Sequence, residues 1–381
     1  MGIIDKRKFA FVVHPLSSEY IRNVVHIPDK FATRCVMKIL EKTIAYSPPL
    51  LYSKIDGIKS IDGTEAEGWL ISIGGTPKEM TSRSPEFTYK RLIAASKMAK
   101  NLGAEIMGLG AFTKVVGDAG VTVAKHSPIP ITTGNSYSAS AALWAAADAI
   151  KRMALIDIPN GKEKLIAKTM VIGATGAIGS VSSKLLSMVF DVVILCGRNT
   201  EKLNNLKNSI RLETPDTKII TTTDSSEYLS EADMIVTATS GASKKVLDTM
   251  KVKPGCVITD VARPLDLKPE DVAKRKDVMY IESGEIEVPV KDHLQIRDIH
   301  LPKNVVFACM AETIVLALEG RFENFTIGRE IEWEKVKEIY KLGLKHGMKL
   351  AAISGLNGVY TDNDINKIRS LALKARRENA N

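Results

Sequence analysis

The segment KTMVIGATGAIGSVSSKLLSMVFDVVILCGRNT, residues 168–200, decides the fold of this chain. An apolar run, Met170–Ile172, leads directly into glycines spaced G-x-x-G-x-x-G, and a helical pattern of apolar residues follows them. A second apolar run, Val192–Leu195, predicts the next strand. The segment therefore predicts a strand, a glycine turn, a helix and a second, parallel strand.

Glycines at these positions suit a turn that binds a dinucleotide. Gly173 and Gly176 allow the backbone to turn tightly and to approach a pyrophosphate, while Gly179 lets the helix pack closely on the strand. The helix N-terminus presents free N–H groups and the positive end of its dipole to the phosphates. The residues expected to contact a cofactor here are Gly173, Thr175, Gly176, Ala177, Ile178 and Gly179.

An arginine follows the second strand, about 20 residues after the second glycine, where NAD-binding units carry an acid for the ribose 2′-hydroxyl. Arg198 suits a 2′-phosphate instead, so the sequence favours NADPH over NADH. Asn199, Thr200 and Lys202 are expected to complete that pocket. The alternative is an α/β turn that binds nothing.

Strands and helices continue to alternate after this unit, as in a doubly wound parallel sheet. The further predicted strands are Lys218–Thr222, Met234–Thr237, Cys256–Thr259 and Val278–Ile281. Because ligands bind outside the carboxyl ends of such strands, the residues that follow them are candidate cofactor contacts. They are Thr237, Ala238 and Thr239 with Ser240–Gly241, then Asp260 with Arg263–Pro264. A plain turn is the alternative for residues 237–241.

The predicted fold class is α/β: a Rossmann-like doubly wound parallel sheet domain plus an N-terminal α/β substrate domain, with C-terminal helices. The expected domains are residues 1–150, 151–303 and 304–381, the last carrying the candidate catalytic cysteine. Within the first, residues 48–75 predict β-structure, residues 85–102 and 136–153 predict helices, and Ile106–Leu109 and Val121–Ala124 predict strands. Residues 365–377 predict a basic amphipathic helix.

Composition narrows the class of protein. The 381 residues suggest about two domains, with 45% hydrophobic and 25% charged residues. No apolar run is long enough to predict a transmembrane helix. Four cysteines lack metal or disulfide spacing, which favours a reducing cytoplasm and predicts no metal site.

Charge gives a weaker indication. The net charge of +9 would suit an acidic partner or a phosphorylated substrate, or reflects a basic proteome. Neither zinc-finger spacing nor aromatic–basic interleaving supports nucleic-acid binding.

Cys309 is the candidate nucleophile because it stands where a strand-like run meets a helix. The helix dipole favours a thiolate at that position, and a thioester is a natural electrophile for it. Glu312 lies on the same helix face and would either orient the site or be an ordinary acid near the helix start. The alternative for Cys309 is a buried structural cysteine.

The chain resembles a known family, the aldehyde-forming long-chain acyl-[acyl-carrier-protein] reductases of cyanobacterial type. The resemblance covers roughly residues 8–353. The matching blocks are FVVHPLSSE near the start, LGAFTKVV (109–116), TTGNSYSA (132–139), VIGATGAIGS (171–180), CGRNTEKLNNL (196–206) and FACMAETIVLALEGRFENFTIGR (307–329). Ala177 departs from the family pattern, which often has an acid there, and the basic C-terminal segment lies beyond the resemblance.

This resemblance implies a covalent mechanism. The family's catalytic cysteine falls on Cys309, which would attack an acyl thioester, and NADPH would deliver hydride so that a fatty aldehyde leaves. The N-terminal domain would hold the acyl chain in an apolar tunnel. Thr113, Thr132 and Asn135, with Glu312, are candidates for lining the oxyanion or substrate.

Several alternatives remain open at this stage. The substrate carrier is an acyl carrier protein or coenzyme A, and a downstream enzyme that uses the aldehyde is a possible partner. Neither the acyl chain length nor the oligomeric state follows from the sequence. Two other functions compete: a shikimate-dehydrogenase-like NADP-dependent oxidoreductase acting on a small polar substrate, and a non-catalytic NADPH-binding protein.

Overall fold

The computed structural model describes residues 6–15, 22, 28, 33–110, 113, 117–159, 161, 163–239, 245–262, 265–297 and 299–378. The strands are β1 (Arg7–Val13), β2 (Leu50–Lys59), β3 (Glu65–Ser72), β4 (Ile106–Leu109), β5 (Ile131–Thr132), β6 (Leu165–Ile172), β7 (Phe190–Cys196), β8 (Lys218–Thr222), β9 (Met234–Thr237), β10 (Val257–Asp260), β11 (Met279–Glu282), β12 (Glu285–Glu287), β13 (Val290–Gln295), β14 (Val305–Phe307), β15 (Lys349–Leu350), β16 (Ser354–Gly355) and β17 (Gly358–Val359). The helices are α1 (Arg34–Ala45), α2 (Pro77–Thr81), α3 (Pro85–Asn101), α4 (Val121–His126), α5 (Asn135–Met153), α6 (Ala177–Ser187), α7 (Thr200–Glu213), α8 (Pro269–Val272), α9 (Ala308–Glu319), α10 (Trp333–His346) and α11 (Asp362–Glu378), with a 3₁₀ turn at Thr249–Lys251.

The chain forms two compact units. Unit 1 comprises Met1–Tyr137, Ile286–Arg329 and Glu338–Lys349, and unit 2 comprises Ser138–Glu285, Glu330–Lys337 and Leu350–Asn381. This division differs from the predicted boundaries at residues 150 and 303. Helix α9 explains most of the difference: its residues 308–318 are all buried, and it packs on β1, β3 and β4 of unit 1. A helix that is apolar on all sides needs such a sheet beneath it.

Unit 2 contains the Rossmann-like sheet. Its six strands lie in the order β11-β10-β9-β6-β7-β8 and pair in parallel throughout. The strand order reverses at β6, so the crevice for a ligand lies at the carboxyl ends of β6 and β9. The predicted α/β class and the strand–turn–helix–strand unit are confirmed.

Both faces of this sheet are covered, as a doubly wound sheet requires. Alternate residues of β6 contribute to opposite cores, with Val171 on one face and Met170 and Ile172 on the other. Helix α11 is longer than the helix predicted for residues 365–377, and it places Ile365 and Ile368 in the first of these cores.

Unit 1 has its own mixed sheet, in the order β13-β2-β3-β1-β4-β5. Strands β1, β3, β4 and β5 are parallel, whereas β2 runs antiparallel to β3 and β13 antiparallel to β2. We call the edge at which the four parallel strands end the carboxyl edge of this sheet. The predicted N-terminal α/β architecture is confirmed, and β13 adds a strand that the sequence analysis did not assign to it.

Helix α9 approaches this sheet closely because β4 contains a glycine. A Cβ atom on Gly108 would stand 2.1 Å from the hydroxyl oxygen of Thr313 on α9. The opposite face of the sheet packs α3 through Leu92, Ala95 and Ala99. The central strands of unit 1 are therefore buried on both sides.

One predicted strand is wrong. Residues 121–126 form helix α4 rather than a strand over Val121–Ala124. Gly120 begins the helix with φ +89°, and the Asp118 carboxylate accepts hydrogen bonds from both the backbone and the hydroxyl of Thr122. This local cap outweighs the β propensity of the two valines.

Within the part of the chain that the structure describes, no helix combines the length and the apolar character needed to cross a membrane.

Candidate active site and cofactor site

The glycine turn of unit 2 has the geometry that the sequence predicts. Gly173 adopts φ +86°, and a Cβ atom there would stand 2.6 Å from the carbonyl oxygen of Ala238. A Cβ atom on Gly179 would stand 2.1 Å from the carbonyl oxygen of Gly173. These two glycines are therefore required by contacts within the fold itself.

Gly176 differs from its two neighbours because the fold leaves room beside it. The nearest atom to a Cβ placed there is the Gly173 carbonyl oxygen, at 3.3 Å. Gly176 caps α6, whose first turn carries no acid and no capping side chain. The cradle that a side chain would fill, together with the N–H groups of Ala177, Ile178 and Gly179, fits a pyrophosphate.

The residues after β7 present positive charge next to this turn. The hydroxyl oxygen of Thr175 lies 3.5 Å from the Cβ position of Gly197, so Arg198 begins beside the turn. Arg198 and Lys202 are exposed, and neither forms an ion pair with another residue that the structure describes. The side chain of Asn199 is already used, since it caps α7 by accepting from the Lys202 N–H at 2.9 Å. Thr200 is exposed at the first position of that helix.

The residues after β9 and β10 that were predicted to contact a cofactor lie deeper in unit 2 than the glycine turn and Arg198. The Asp260 carboxylate is fully buried and accepts hydrogen bonds from the backbone N–H groups of Ala262, Asp266 and Leu267, at 2.8–3.1 Å. It therefore holds its own loop in shape, and contact with a cofactor through its side chain would require breaking that arrangement.

The segment after β9 is tied to the same loop. Thr239 donates its backbone N–H (2.9 Å) and its hydroxyl to the Asp266 carboxylate. Thr237 is buried, with a hydroxyl that has no partner among the described residues, and the Ala238 N–H donates to Ile172 at 2.9 Å. Residues 240–241 and 263–264, which were also predicted to line this crevice, lie outside the described residues.

In unit 1, Cys309 is the second residue of α9, directly after the short strand β14. Phe307 caps the helix without a side-chain hydrogen bond, and the N–H groups of a helix's first turn have no partner within the helix. Cys309 is 9% exposed. The predicted setting of a thiol at a helix N-terminus is confirmed.

The TTGN segment lies directly against this cysteine. Gly134 follows β5 at the carboxyl edge with φ +71°, and a Cβ atom on it would stand 2.3 Å from both Cα and Cβ of Cys309. The Gly134 N–H donates to the hydroxyl of Thr132 at 3.5 Å. Only glycine combines this backbone conformation with this contact.

Glu312 holds the same segment from the next turn of α9. One oxygen of its fully buried carboxylate accepts from the hydroxyl of Thr132, and the other accepts from the N–H of Tyr137 at 2.8 Å. Of the two interpretations given for Glu312, the structure favours an orienting role: its carboxylate fixes the segment that contacts Cys309.

The candidate oxyanion donors are not equivalent. The Thr113 hydroxyl donates to the Gly110 carbonyl at 2.6 Å, and the Thr132 hydroxyl donates to Glu312, so both protons are already used. Asn135 is buried, and its amide has no hydrogen-bond partner among the described residues. Asn135 is thus the candidate whose donor is available.

The segment after α9 also contacts the TTGN segment, an arrangement that was not predicted from the sequence. The Asn324 side chain accepts from the Ile131 N–H at 2.8 Å, and the Thr326 carbonyl accepts from the Thr133 N–H at 2.9 Å. The Thr326 hydroxyl also donates to Ser136 at 2.8 Å. In the sequence, the polar residues that follow an apolar helix were the feature from which this contact with β5 and the residue after it could have been predicted.

The other cysteines lack this setting. Burial is the main cause that raises the pKa of Cys196 to about 11, and burial also raises the pKa of Cys256 well above its usual value. Cys35 is exposed on α1. Among the described residues, no cluster of histidine, cysteine or acidic side chains is arranged to hold a metal ion.

Comparisons with known proteins indicate the class of protein. Residues 160–288 match the family described as shikimate / quinate 5-dehydrogenase. The chain is 28% identical over 321 residues to the long-chain acyl-[acyl-carrier-protein] reductase of Synechococcus elongatus, covering 81% of this chain and 89% of that protein. These similarities support a class of protein, the NAD(P)-dependent oxidoreductases.

Two further proteins are similar to this chain. It is 29% identical over 352 residues to aminotransferase PigE of Serratia sp., covering 89% of this chain but only 39% of that protein. Quinate dehydrogenase from Corynebacterium glutamicum in complex with NAD aligns with 88% of this chain and 99% of its own, at a TM-score of 0.36 and 10% identity.

Proposed function

We propose that the protein reduces a fatty acyl thioester to a fatty aldehyde with NADPH, through an acyl-enzyme on Cys309. The observation that carries the proposal is the packing of Gly134 on Cys309 at the start of α9, held by Glu312. Two sequence blocks that resemble acyl-[acyl-carrier-protein] reductases, residues 132–139 and 307–329, supply this arrangement. The similarity to such a reductase over 81% of the chain supports the same reaction.

Cys309 performs the first step as a nucleophile. Its thiolate, at the second position of α9, attacks the thioester carbonyl carbon and forms a new C–S bond. The C–S bond to the carrier then breaks, and the carrier thiolate leaves and takes up a proton. The developing oxyanion needs donors, and the first-turn N–H groups of α9 with the Asn135 amide are the candidates.

The cofactor would be held by unit 2. The N–H groups at the start of α6 and the cradle beside Gly176 suit the pyrophosphate, while Arg198 and Lys202 suit a 2′-phosphate. Bound NADPH would supply the hydride that reduces the acyl carbon.

The chain's own residues then complete the reaction. The thiohemiacetal on Cys309 keeps its oxygen among the same donors. Its C–S bond breaks as the carbonyl re-forms, which releases the aldehyde and regenerates the thiolate. Overall, one thioester, one NADPH and one proton give one aldehyde, the carrier thiol and NADP⁺.

The product suits a second enzyme. An aldehyde is an amino acceptor in transamination, and the chain resembles part of an aminotransferase from Serratia sp.. This similarity supports a downstream enzyme that consumes the aldehyde by amination. The apolar acyl tunnel in unit 1 and a cytoplasmic location are further expectations of the same proposal.

Replacing the thiol separates this function from its competitors. We expect Cys309→Ala to lower the rate of aldehyde formation by more than about a thousandfold while NADPH binding stays unchanged. Cys256→Ala, at a buried thiol outside the proposed chemistry, is the control. Full activity of Cys309→Ala toward a small polar alcohol or ketone would instead favour the dehydrogenase alternative, and the absence of any turnover in the native protein would favour the non-catalytic one.

A further inference from the structure

Helix α1 of unit 1 exposes a row of apolar side chains to solvent. Val36, Ile39 and Tyr46, the last capping the helix, recur at the spacing of one helix face. Ile39 is 61% and Tyr46 is 66% exposed. Leu50 and Leu51, just beyond, are exposed as well. Contiguous exposed apolar side chains mark an interaction surface more often than scattered ones do.

The opposite face of α1 is already used by the fold. Met37, Leu40 and Ile44 are half-buried, and the chain after β3 approaches the helix so closely that a Cβ atom on Gly74 would stand 1.7 Å from the Ile44 carbonyl oxygen. The exposed row is therefore not the face by which α1 is anchored.

Positive charge borders this row. Among the α1 side chains that the structure describes, the exposed charged ones are Lys38 and Lys42, with no exposed carboxylate. We call Val36, Lys38, Ile39, Lys42 and Tyr46 together the α1 surface.

Two arginines reinforce the charge beneath Tyr46. The Arg83 guanidinium lies 4.5 Å from the Tyr46 ring centroid, and that of Arg91 lies 3.5 Å from the Phe87 centroid. Arg83 pairs with Glu79 at 2.6 Å, whereas Arg91 donates to the backbone carbonyls of Ala45 and Phe87. Burial, and then the neighbouring charge of Arg83, lower the pKa of Arg91.

The α1 surface lies at the carboxyl edge of the first sheet. Strand β2 follows α1 and begins opposite Ser72, at the end of β3, while Gly134 and its contact Cys309 lie at the end of β5. With the order β3-β1-β4-β5, the ends of β3 and β5 are separated by roughly 14 Å, three strand intervals of about 4.8 Å. An extended phosphopantetheine arm is longer than this span.

We propose that the α1 surface docks an acidic acyl carrier protein, whose phosphopantetheine arm runs along the carboxyl edge to Cys309. The proposal rests on the proposed function, because it assigns the carrier of that thioester. Apolar residues bordered by lysines complement a partner helix that is acidic and partly apolar, and opposite charges mainly raise the association rate. Coenzyme A has no such helix and needs no such surface.

Reversing the charge of the α1 surface tests whether this surface docks the carrier protein or only affects turnover. For Lys38→Glu/Lys42→Glu we expect kcat/KM for a palmitoyl-carrier protein to fall at least about tenfold at low salt, with palmitoyl-coenzyme A changed less than about twofold. Ile39→Ser is the apolar counterpart and is expected to show the same selectivity. Lys97→Glu/Lys100→Glu, at exposed positions of α3, is the matched control and should leave both substrates unaffected.

Equal effects on both substrates, or the same loss in the control, would overturn the proposal. Fluorescence anisotropy with labelled holo-carrier protein reports docking without turnover, so a chain that binds the carrier through α1 but reduces nothing would refute the proposed function alone. Binding to anionic phospholipid vesicles with no carrier binding, or a dimer in sedimentation that Ile39→Ser dissociates, would overturn the carrier assignment.

Discussion

The backbone of Gly134 lies in direct contact with Cys309: a Cβ atom on the glycine would stand 2.3 Å from both Cα and Cβ of the cysteine. The two residues come from two separate sequence segments of unit 1 and meet at the carboxyl edge of its sheet. The contact closes one side of the start of α9, where Cys309 is the second residue of the helix. The following predictions depend on this contact, on the buried carboxylate that supports it, and on the cofactor site of unit 2.

Gly134→Ala is expected to lower the free energy of unfolding by at least about 2 kcal/mol and to slow acylation of Cys309, because the new methyl group displaces the cysteine. Gly63→Ala is a matched control, since Gly63 has φ +92° but no atom within 4 Å of its Cβ position. Urea unfolding and single-turnover acylation measure both effects. Equal behaviour of the two variants would show that the contact with Cys309 is unimportant.

Glu312→Gln is expected to destabilise the protein by about 1–3 kcal/mol, because an amide offers one acceptor where Thr132 and Tyr137 both donate. The rate of aldehyde formation should fall while NADPH affinity is unchanged. A double-mutant cycle with Thr132→Val should give a coupling energy of about 0.5–3 kcal/mol in unfolding experiments. Additive effects would mean that Glu312 does not act through Thr132.

Gly176→Ala and Gly179→Ala are expected to change different properties: the first the affinity for NADPH, the second the stability of the fold. Alanine at 176 has room in the fold, so stability should hold while the dissociation constant for NADPH rises by about tenfold or more. Alanine at 179 meets the Gly173 carbonyl oxygen at 2.1 Å and should cost about 1–3 kcal/mol of stability. Thermal unfolding and NADPH fluorescence titration separate the two. Unchanged affinity in Gly176→Ala would place the pyrophosphate elsewhere.

Arg198→Glu is expected to reverse the cofactor preference. The side chain is exposed and unpaired within the described part of the chain, so its charge is available for a 2′-phosphate. Affinity for NADPH should fall by about tenfold or more and affinity for NADH should rise, as a carboxylate suits the ribose hydroxyl. Arg211→Glu, at an exposed position in the last turn of the helix α7 that follows Arg198, is the control. A preference that stays with NADPH in Arg198→Glu would contradict the assignment.

His14 is expected to make unit 1 sensitive to acid. Burial lowers its pKa to about 4 in the folded state, below the unfolded value, so the unfolded state binds more protons between those two values. The stability contributed at neutral pH is lost as the pH falls through this window, by about 2–3 kcal/mol between about pH 7 and about pH 4.5.

Urea unfolding across this range measures that loss. His14→Asn, which keeps a donor for the Pro15 carbonyl, should show a shallower loss than the native protein, whereas His126→Asn, at an exposed histidine, should not. Identical slopes in all three proteins would show that His14 is not the acid-sensitive group.

Local signals made most of the fold predictable. The glycine spacing and flanking apolar runs gave β6, α6 and β7, because a dinucleotide turn constrains both backbone and periodicity over a short segment. The long helix from residue 136 was confirmed with one additional residue at its start. Helix α4 was missed because the hydrogen bonds from Thr122 to the Asp118 carboxylate depend on side-chain geometry that apolar periodicity does not contain.

The candidate site was less predictable from the sequence, because it depends on contacts between residues far apart in the chain. The position of Cys309 at a strand–helix junction follows from local pattern, but its contact with Gly134 joins segments far apart in the chain. For the same reason Glu312 could be interpreted either as an orienting residue or as an ordinary helix-start acid until Thr132 was seen beside it. The sequence does not show whether a side-chain donor already bonds within the fold. The hydroxyl of Thr113 does so, whereas the amide of Asn135 remains available.

In the proposed reaction, Cys309 carries the acyl group. Intact-protein mass spectrometry after mixing with a palmitoyl thioester, first without NADPH and then with it, tests this most directly. We predict a single palmitoyl adduct that maps to Cys309, is absent in Cys309→Ala, and is discharged as aldehyde on addition of NADPH. No adduct with carrier-protein or coenzyme A thioesters of several chain lengths, or an adduct that persists in Cys309→Ala, would contradict the account.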